Sequence, residues 1–125
     1  TMRGSETVLL VEDDDQVRHV ARGILQRNGY QVLEAKHGAD ALAICRAHEG
    51  PIHLLLTDVV MPHMSGREVA DRIAGLHPTV RILFMSGYTE NAMFRQAVLP
   101  AGASVLQKPI IPENLLRLVR EVLDR

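Results

Sequence analysis

The chain has 125 residues and a formal net charge of -1, with acids and bases nearly matched. That length suits one domain able to bury a substantial core, and the matched charge lacks the basic excess of a nucleic-acid footprint, so direct nucleic-acid binding is not expected. No apolar run approaches the ~20 residues of a membrane span, no charged-then-apolar signal segment opens the chain, and a lone cysteine, Cys45, excludes an internal disulfide; a cytoplasmic domain without membrane contact fits these features.

Residues 1–6 read as a linker or remnant ahead of one domain over 7–125. The first apolar run, 7–11, predicts a strand and leads into the acids Glu12, Asp13, Asp14 and Asp15. Val17, Val20, Ala21, Ile24 and Leu25 then recur at helical spacing as one stripe, closed by Asn28-Gly29, where glycine tolerates the left-handed conformation after a helix end. A strand is expected at 31–35, a weaker helix at 39–47 with Cys45 as a small buried hydrophobe, and a third strand at 52–57 after the break at Gly50-Pro51. Asp58 follows that strand. Val69, Ala70 and Ile73 mark a third helix. The fourth strand, 80–85, is followed by Ser86-Gly87 and a weaker helix at 89–99. The fifth, 104–107, is followed by Lys108-Pro109. Pro112 suits the first turn of a last helix, whose stripe is Leu115, Leu116, Val119, Val122 and Leu123.

Strand and helix thus alternate five times, which predicts an α/β fold of three layers, a parallel sheet with helices on both faces. In such (βα)5 flavodoxin-like sheets the order 2-1-3-4-5 sets strands one and three side by side, and sites form beyond the carboxyl ends of the strands at that switch point. Glu12, Asp13 and Asp58 are then neighbours, with Ser86 and Lys108 on the same rim. Crowded carboxylates repel, so one takes up a proton or a cation neutralises them. A hard divalent cation with oxygen ligands suits the set. A carboxylate can also act as a nucleophile toward phosphorus, with the cation and a lysine balancing the charge on a transferring phosphoryl group. Each residue alone has an ordinary reading. An acid run before a helix commonly caps it, a role that suits Asp14 or Asp15; Ser86 is an unremarkable turn residue and Lys108 a solvated charge. Their joint placement at strand ends is the specific signal.

The motifs Val8-Leu9-Leu10-Val11-Glu12-Asp13-Asp14, Asp58-Val59-Val60-Met61-Pro62-His63-Met64-Ser65-Gly66, Met85-Ser86-Gly87 and Lys108-Pro109 resemble the response-regulator receiver domains of bacterial two-component signalling, over residues 6–123. The resemblance implies that Asp58 is the phosphoacceptor and that Mg²⁺, or alternatively Mn²⁺, is held by Asp13, Asp58, the Val60 backbone carbonyl and, through water, Glu12. It implies that Ser86 hydrogen-bonds the phosphoryl group and carries the switch, that Lys108 pairs with a phosphoryl oxygen, that the bond before Pro109 is cis, and that Gly87 leaves the approach to Asp58 open. Val60 and Tyr88, two residues beyond the acceptor and the switch serine, would tune hydrolysis toward slow loss of phosphate. Val105 departs from the family pattern, which has an aromatic residue three positions before the lysine. Activation would then work through the 88–99 segment rather than through a swinging ring.

Residues 84–89 and 105–109 are similar to receivers fused to hybrid sensor histidine kinases, which implies a parent protein histidine kinase. A free-standing single-domain regulator and a receiver-like binding module that works without phosphate are the alternatives. The implied partner is a histidine kinase or a histidine phosphotransfer domain, with the domain itself a monomer or weak dimer. The domain would not be an enzyme in the usual sense, since it catalyses only its own phosphorylation and dephosphorylation. An aspartate-nucleophile phosphatase is disfavoured because Val60 stands where its second acid is needed, and nucleotide binding because no glycine-rich loop follows the first strand.

Overall fold

A computed structural model describes residues 2–87 and 99–125. Five parallel strands, β1 (Thr7–Val11), β2 (Gln31–Ala35), β3 (Leu54–Asp58), β4 (Arg81–Ser86) and β5 (Ser104–Gln107), form one sheet in the order β2-β1-β3-β4-β5. The expected topology is therefore present. The helices are α1 (Asp15–Arg27), α2 (Gly38–Ala47), α3 (Gly66–Leu76) and α4 (Pro112–Leu123). The helix expected at 89–99 lies outside the described residues, apart from the buried Leu99. None of the described helices is long and apolar enough to cross a membrane.

The two faces of the sheet bury separate cores. One gathers Leu9, Leu55 and Phe84 with Ala41 and Cys45 of α2 and Val69 and Ile73 of α3. The other gathers Leu10, Leu56 and Met85 with Ile24 and Leu25 of α1 and Leu115 and Val119 of α4. Alternate residues of each central strand point to opposite faces, so strands covered on both sides are apolar throughout. Each fully buried Leu or Ile contributes about 1.5–3 kcal/mol. Helix α4 follows its predicted stripe, with Leu115, Leu116, Val119 and Val122 buried. Helix α1 does not. Val20 is 50% exposed while Arg18 is 5% exposed, so the stripe through Val17 and Val20 is corrected to one through Arg18, Ala21, Ile24 and Leu25. The side-chain contacts of Arg18, given below, explain the exchange.

Strand ends also differ slightly from expectation. Asp58 and Ser86 are the last residues of β3 and β4 rather than the first beyond them. Inclusion in the ladder fixes their backbones: Asp58 is in register with Met85, and Ser86 with Gln107. At the other end of the sheet the short lead before β1 is held to the body. Gly4 N–H donates to the Asn28 carbonyl at 3.1 Å, and the Glu6 carbonyl accepts from Gln31 N–H at 3.1 Å.

Candidate functional site

The site is built at the carboxyl rim, where β1 and β3 lie side by side. Glu12 leaves β1 fully buried, its N–H donating to the Ala35 carbonyl at 3.1 Å. Asp13 follows on the surface. Asp14 caps α1, its Oδ1 accepting from Gln16 N–H at 2.9 Å and Val17 N–H at 3.0 Å. The acid run thus divides its labour: Asp14 satisfies orphan helix donors, and Glu12 and Asp13 remain for the rim.

Asp58, 6% exposed, ends β3. The loop behind it is held tightly, with Val59 N–H donating to the Met85 carbonyl at 3.0 Å and Gly66 N–H donating to the Val59 carbonyl at 2.9 Å. A Cβ on Gly66 would collide with the Asp58 carbonyl oxygen, so only glycine lets α3 begin this close to the end of β3. Sequence reasoning quoted Gly66 within a motif but gave it no task. His63 in the same loop is exposed and has a φ of 70°, a conformation unusual for a side chain with a Cβ.

Glu12, Asp13 and Asp58 each offer a carboxylate oxygen, and these atoms lie within 4.8 Å of one another. Lys108, after β5, reaches into the group. Its Nζ donates to Glu12 Oε1 at 2.7 Å and lies 3.2 Å from Asp58 Oδ2. Burial pushes the Glu12 carboxyl up to about 8; Lys108 opposes this and the nearby Asp58 adds to it. Burial also works to lower the Lys108 ammonium, but the two carboxylates outweigh it and leave the group above its ordinary value. Among the described residues Glu12 Oε2 is a buried oxygen with no hydrogen-bond partner. Such an atom is costly unless something completes it. Three crowded carboxylates, one of which carries an orphaned oxygen, fit a hard divalent cation.

Ser86, Gly87 and Pro109 follow at the carboxyl ends of β4 and β5. Ser86 is fully buried, and its carbonyl accepts from Lys108 N–H at 2.8 Å. The Lys108–Pro109 peptide is cis. Among the described residues, a Cβ at Gly87 would meet nothing within 4 Å. Val60 is 50% exposed, its side chain in solvent beside the acceptor. Val105 stands opposite Phe84 in the β4–β5 ladder and is half-buried against the core. Tyr88 lies outside the described residues. Beside the rim, Gln16, Val17, Val20, Lys108, Pro109 and Ile110 line a mostly apolar cavity of about 230 Å³.

Sequence reasoning overlooked Arg18. Its guanidinium donates to the Glu12 carbonyl at 2.9 Å and to Asp15 Oδ1 at 2.6 Å, and lies 3.3 Å from Glu34 Oε1. The available signal was Glu34, an acid between Leu33 and Ala35 in a strand, which needs a cation when covered.

A doubly wound sheet with an acidic switch-point rim, a lysine on the fifth strand's exit and a buried serine on the fourth defines a receiver. The chain belongs to the response regulator receiver domain family, whose profile matches residues 8–120. It is similar to the sensor kinase CckA of Brucella abortus, 39% identical over 124 residues; the match covers 99% of this chain and only 13% of that kinase. It is also similar to the response regulator receiver protein CpdR of the same organism, 36% identical over 93% of this chain and 95% of that protein. Among solved structures, the receiver domain of the hybrid histidine kinase CckA superposes with a TM-score of 0.78 at 35% identity, covering 94% of this chain and 98% of that one. The Vibrio cholerae chemotaxis protein CheY4 superposes with a TM-score of 0.80 at 29% identity, over 96% of this chain and all of that one. Receiver domains bind Mg²⁺ at an acidic pocket and work with histidine kinases or phosphotransfer proteins; Glu12, Asp13 and Asp58 form such a pocket here.

Proposed function

We propose that this receiver domain, residues 7–125, accepts a phosphoryl group onto Asp58 from a phosphohistidine. An Asp58 carboxylate oxygen attacks phosphorus in line, the N–P bond of the donor breaks as the O–P bond forms, and the released imidazole recovers a proton from solvent. Asp13, Asp58 and the Val60 carbonyl would hold Mg²⁺, or Mn²⁺ in its place, with Glu12 acting through a water. When bound, that ion supplies positive charge against the phosphoryl and acceptor oxygens. Lys108, already 3.2 Å from Asp58 Oδ2, pairs with a phosphoryl oxygen, and Ser86 hydrogen-bonds another. Gly87, with no side chain and no described residue within 4 Å of a Cβ built there, would leave the approach to Asp58 open. The apolar cavity between α1 and the segment after β5 offers a donor helix a surface beside the reacting atoms. Movement of Ser86 and Lys108 toward the product then biases a two-state protein-interaction surface.

The observation that carries this reading is the cluster of three carboxylates, with an oxygen of each within 4.8 Å of the others, in which Lys108 bridges Glu12 and Asp58 and Glu12 Oε2 is orphaned among the described residues. Its test is labelling by acetyl phosphate. Asp58→Asn should abolish incorporation, whereas full labelling of that variant at one phosphoryl group per chain refutes the assignment.

The 39% identity to one segment of a sensor kinase supports a parent of hybrid-kinase type, with residues 1–6 as the lead into the domain. The 36% identity to CpdR over nearly that whole protein supports a second reading, a free-standing regulator. The full-length gene product separates the two.

A further inference from the structure

Helix α1 buries a guanidinium where amphipathic periodicity would bury a valine. Departures of this kind concentrate at functional sites, and a buried arginine is expensive to desolvate unless its donors are all placed. Each of the three guanidinium nitrogens of Arg18 faces an acceptor. Nη1 donates to the Glu12 carbonyl at 2.9 Å, Nη2 to Asp15 Oδ1 at 2.6 Å, and Nε faces Glu34 Oε1 at 3.3 Å. The N–H of Glu12 is already held by the Ala35 carbonyl. Both polar main-chain groups of residue 12 are therefore fixed, and with them the peptide that leads to Asp13. That peptide joins two of the three carboxylates of the rim. Lys108 holds the Glu12 head group at 2.7 Å, whereas Arg18 holds its backbone.

The two acids on Arg18 do not depend on it alone. Glu34 keeps Arg22 at 2.8 Å, and Asp15 is solvent-exposed. The Glu12 carbonyl, in contrast, accepts from Arg18 in the buried interior. We infer that Arg18 is a positioning residue of the phosphoacceptor site, fixing the Glu12–Asp13 peptide so that both acids face Asp58 at the separation a divalent cation requires. The inference rests on the proposed function above. Outer partners of ligating groups typically change metal affinity about 10–100-fold, and a main-chain partner such as Arg18 belongs at the low end.

The experiment is a calorimetric titration with Mg²⁺ alone of wild type, Arg18→Met, Arg18→Lys and Glu34→Gln, each first shown by urea unfolding to be folded under the titration conditions. Arg18→Met should bind about tenfold more weakly, Arg18→Lys should recover part of the loss, and Glu34→Gln should stay within about twofold of wild type, because Arg18 still reaches the Glu12 carbonyl. Labelling by acetyl phosphate should show a matching rise in half-saturating Mg²⁺, with the rate at saturation retained. A purely structural role would lower stability without moving the affinity of the folded protein. Wild-type affinity in the folded Arg18→Met variant overturns the inference, as does an equal loss in Glu34→Gln. Should Arg18→Met not fold, Arg18→Lys carries the same comparison. Failure of wild type to bind Mg²⁺ overturns the underlying reading of the site and the inference with it.

Discussion

Two charge clusters lie at opposite ends of the sheet, and they are built differently. At the amino ends of β1 and β2, Arg120 of α4 donates to both oxygens of Glu6, at 2.9 and 3.1 Å, and to the Tyr30 hydroxyl at 3.1 Å. Asp124, its other partner, remains exposed. Arg120 holds the Glu6 carboxyl below its usual range. At the carboxyl rim, two buried carboxylates share Lys108, a third stands beside them, and a buried oxygen is orphaned among the described residues. The first cluster is closed and serves cohesion. Among the described residues the second sets three carboxylates against one lysine, an excess of negative charge that suits a cation.

The contrast can be broken most forcefully with pH. Glu12 titrates near 8 in the folded protein against an ordinary 4.5. Its proton must leave for the rim to bind a cation, so apparent Mg²⁺ affinity should fall by up to about tenfold per unit as pH drops below 8; calorimetry at several pH values checks this. The same shift has the opposite sign for stability. Between 4.5 and 8 the native state keeps a proton that the unfolded chain has lost. Stability in EDTA is therefore fully favoured below 4.5 and declines as pH rises through 8. Glu12→Gln should flatten that decline and, above pH 8, stabilise the domain by about 1 kcal/mol in urea unfolding, because it removes a buried repulsive charge.

Removing a charge from the closed cluster should do the reverse. Arg120→Met strands the half-buried Glu6 and should cost about 2 kcal/mol, discounted from a fully buried pair by its partial exposure. Labelling of Asp58 should stay near the wild-type rate. Equal effects of the two substitutions on stability would erase the distinction between the clusters. Smaller effects sharpen the rim. Val60→Asn sets a group able to orient water beside the acceptor and should speed phosphate loss several-fold, measured as decay of the label. His63→Gly relieves a φ of 70° and should stabilise the fold by about 0.5–1 kcal/mol, since the left-handed conformation costs a residue with a Cβ more than it costs glycine.

Much of this was legible in the chain because the fold is local in its signals. The apolar runs ending at Val11, Thr57 and Gln107 announce strands, and their exits carry the chemistry, so topology alone brings Glu12, Asp13, Asp58 and Lys108 together. What escaped depends on contacts between distant elements. Arg18 looks like a surface residue until Glu34 on β2 and the Glu12 carbonyl claim its donors. The exposed Val20 looks like core because periodicity carries no record of what covers a helix. Arg120 and Glu6 are 114 residues apart, and no spacing rule connects them. Gly66 is one glycine among nine until its neighbour proves to be the Asp58 backbone.

The most direct measurement is reductive trapping of the acyl phosphate followed by peptide mass spectrometry, on wild-type protein treated with acetyl phosphate in the presence and absence of Mg²⁺. Modification confined to Asp58 and dependent on the ion is the predicted result. Modification at another residue, equal modification in EDTA, or none at all would contradict it.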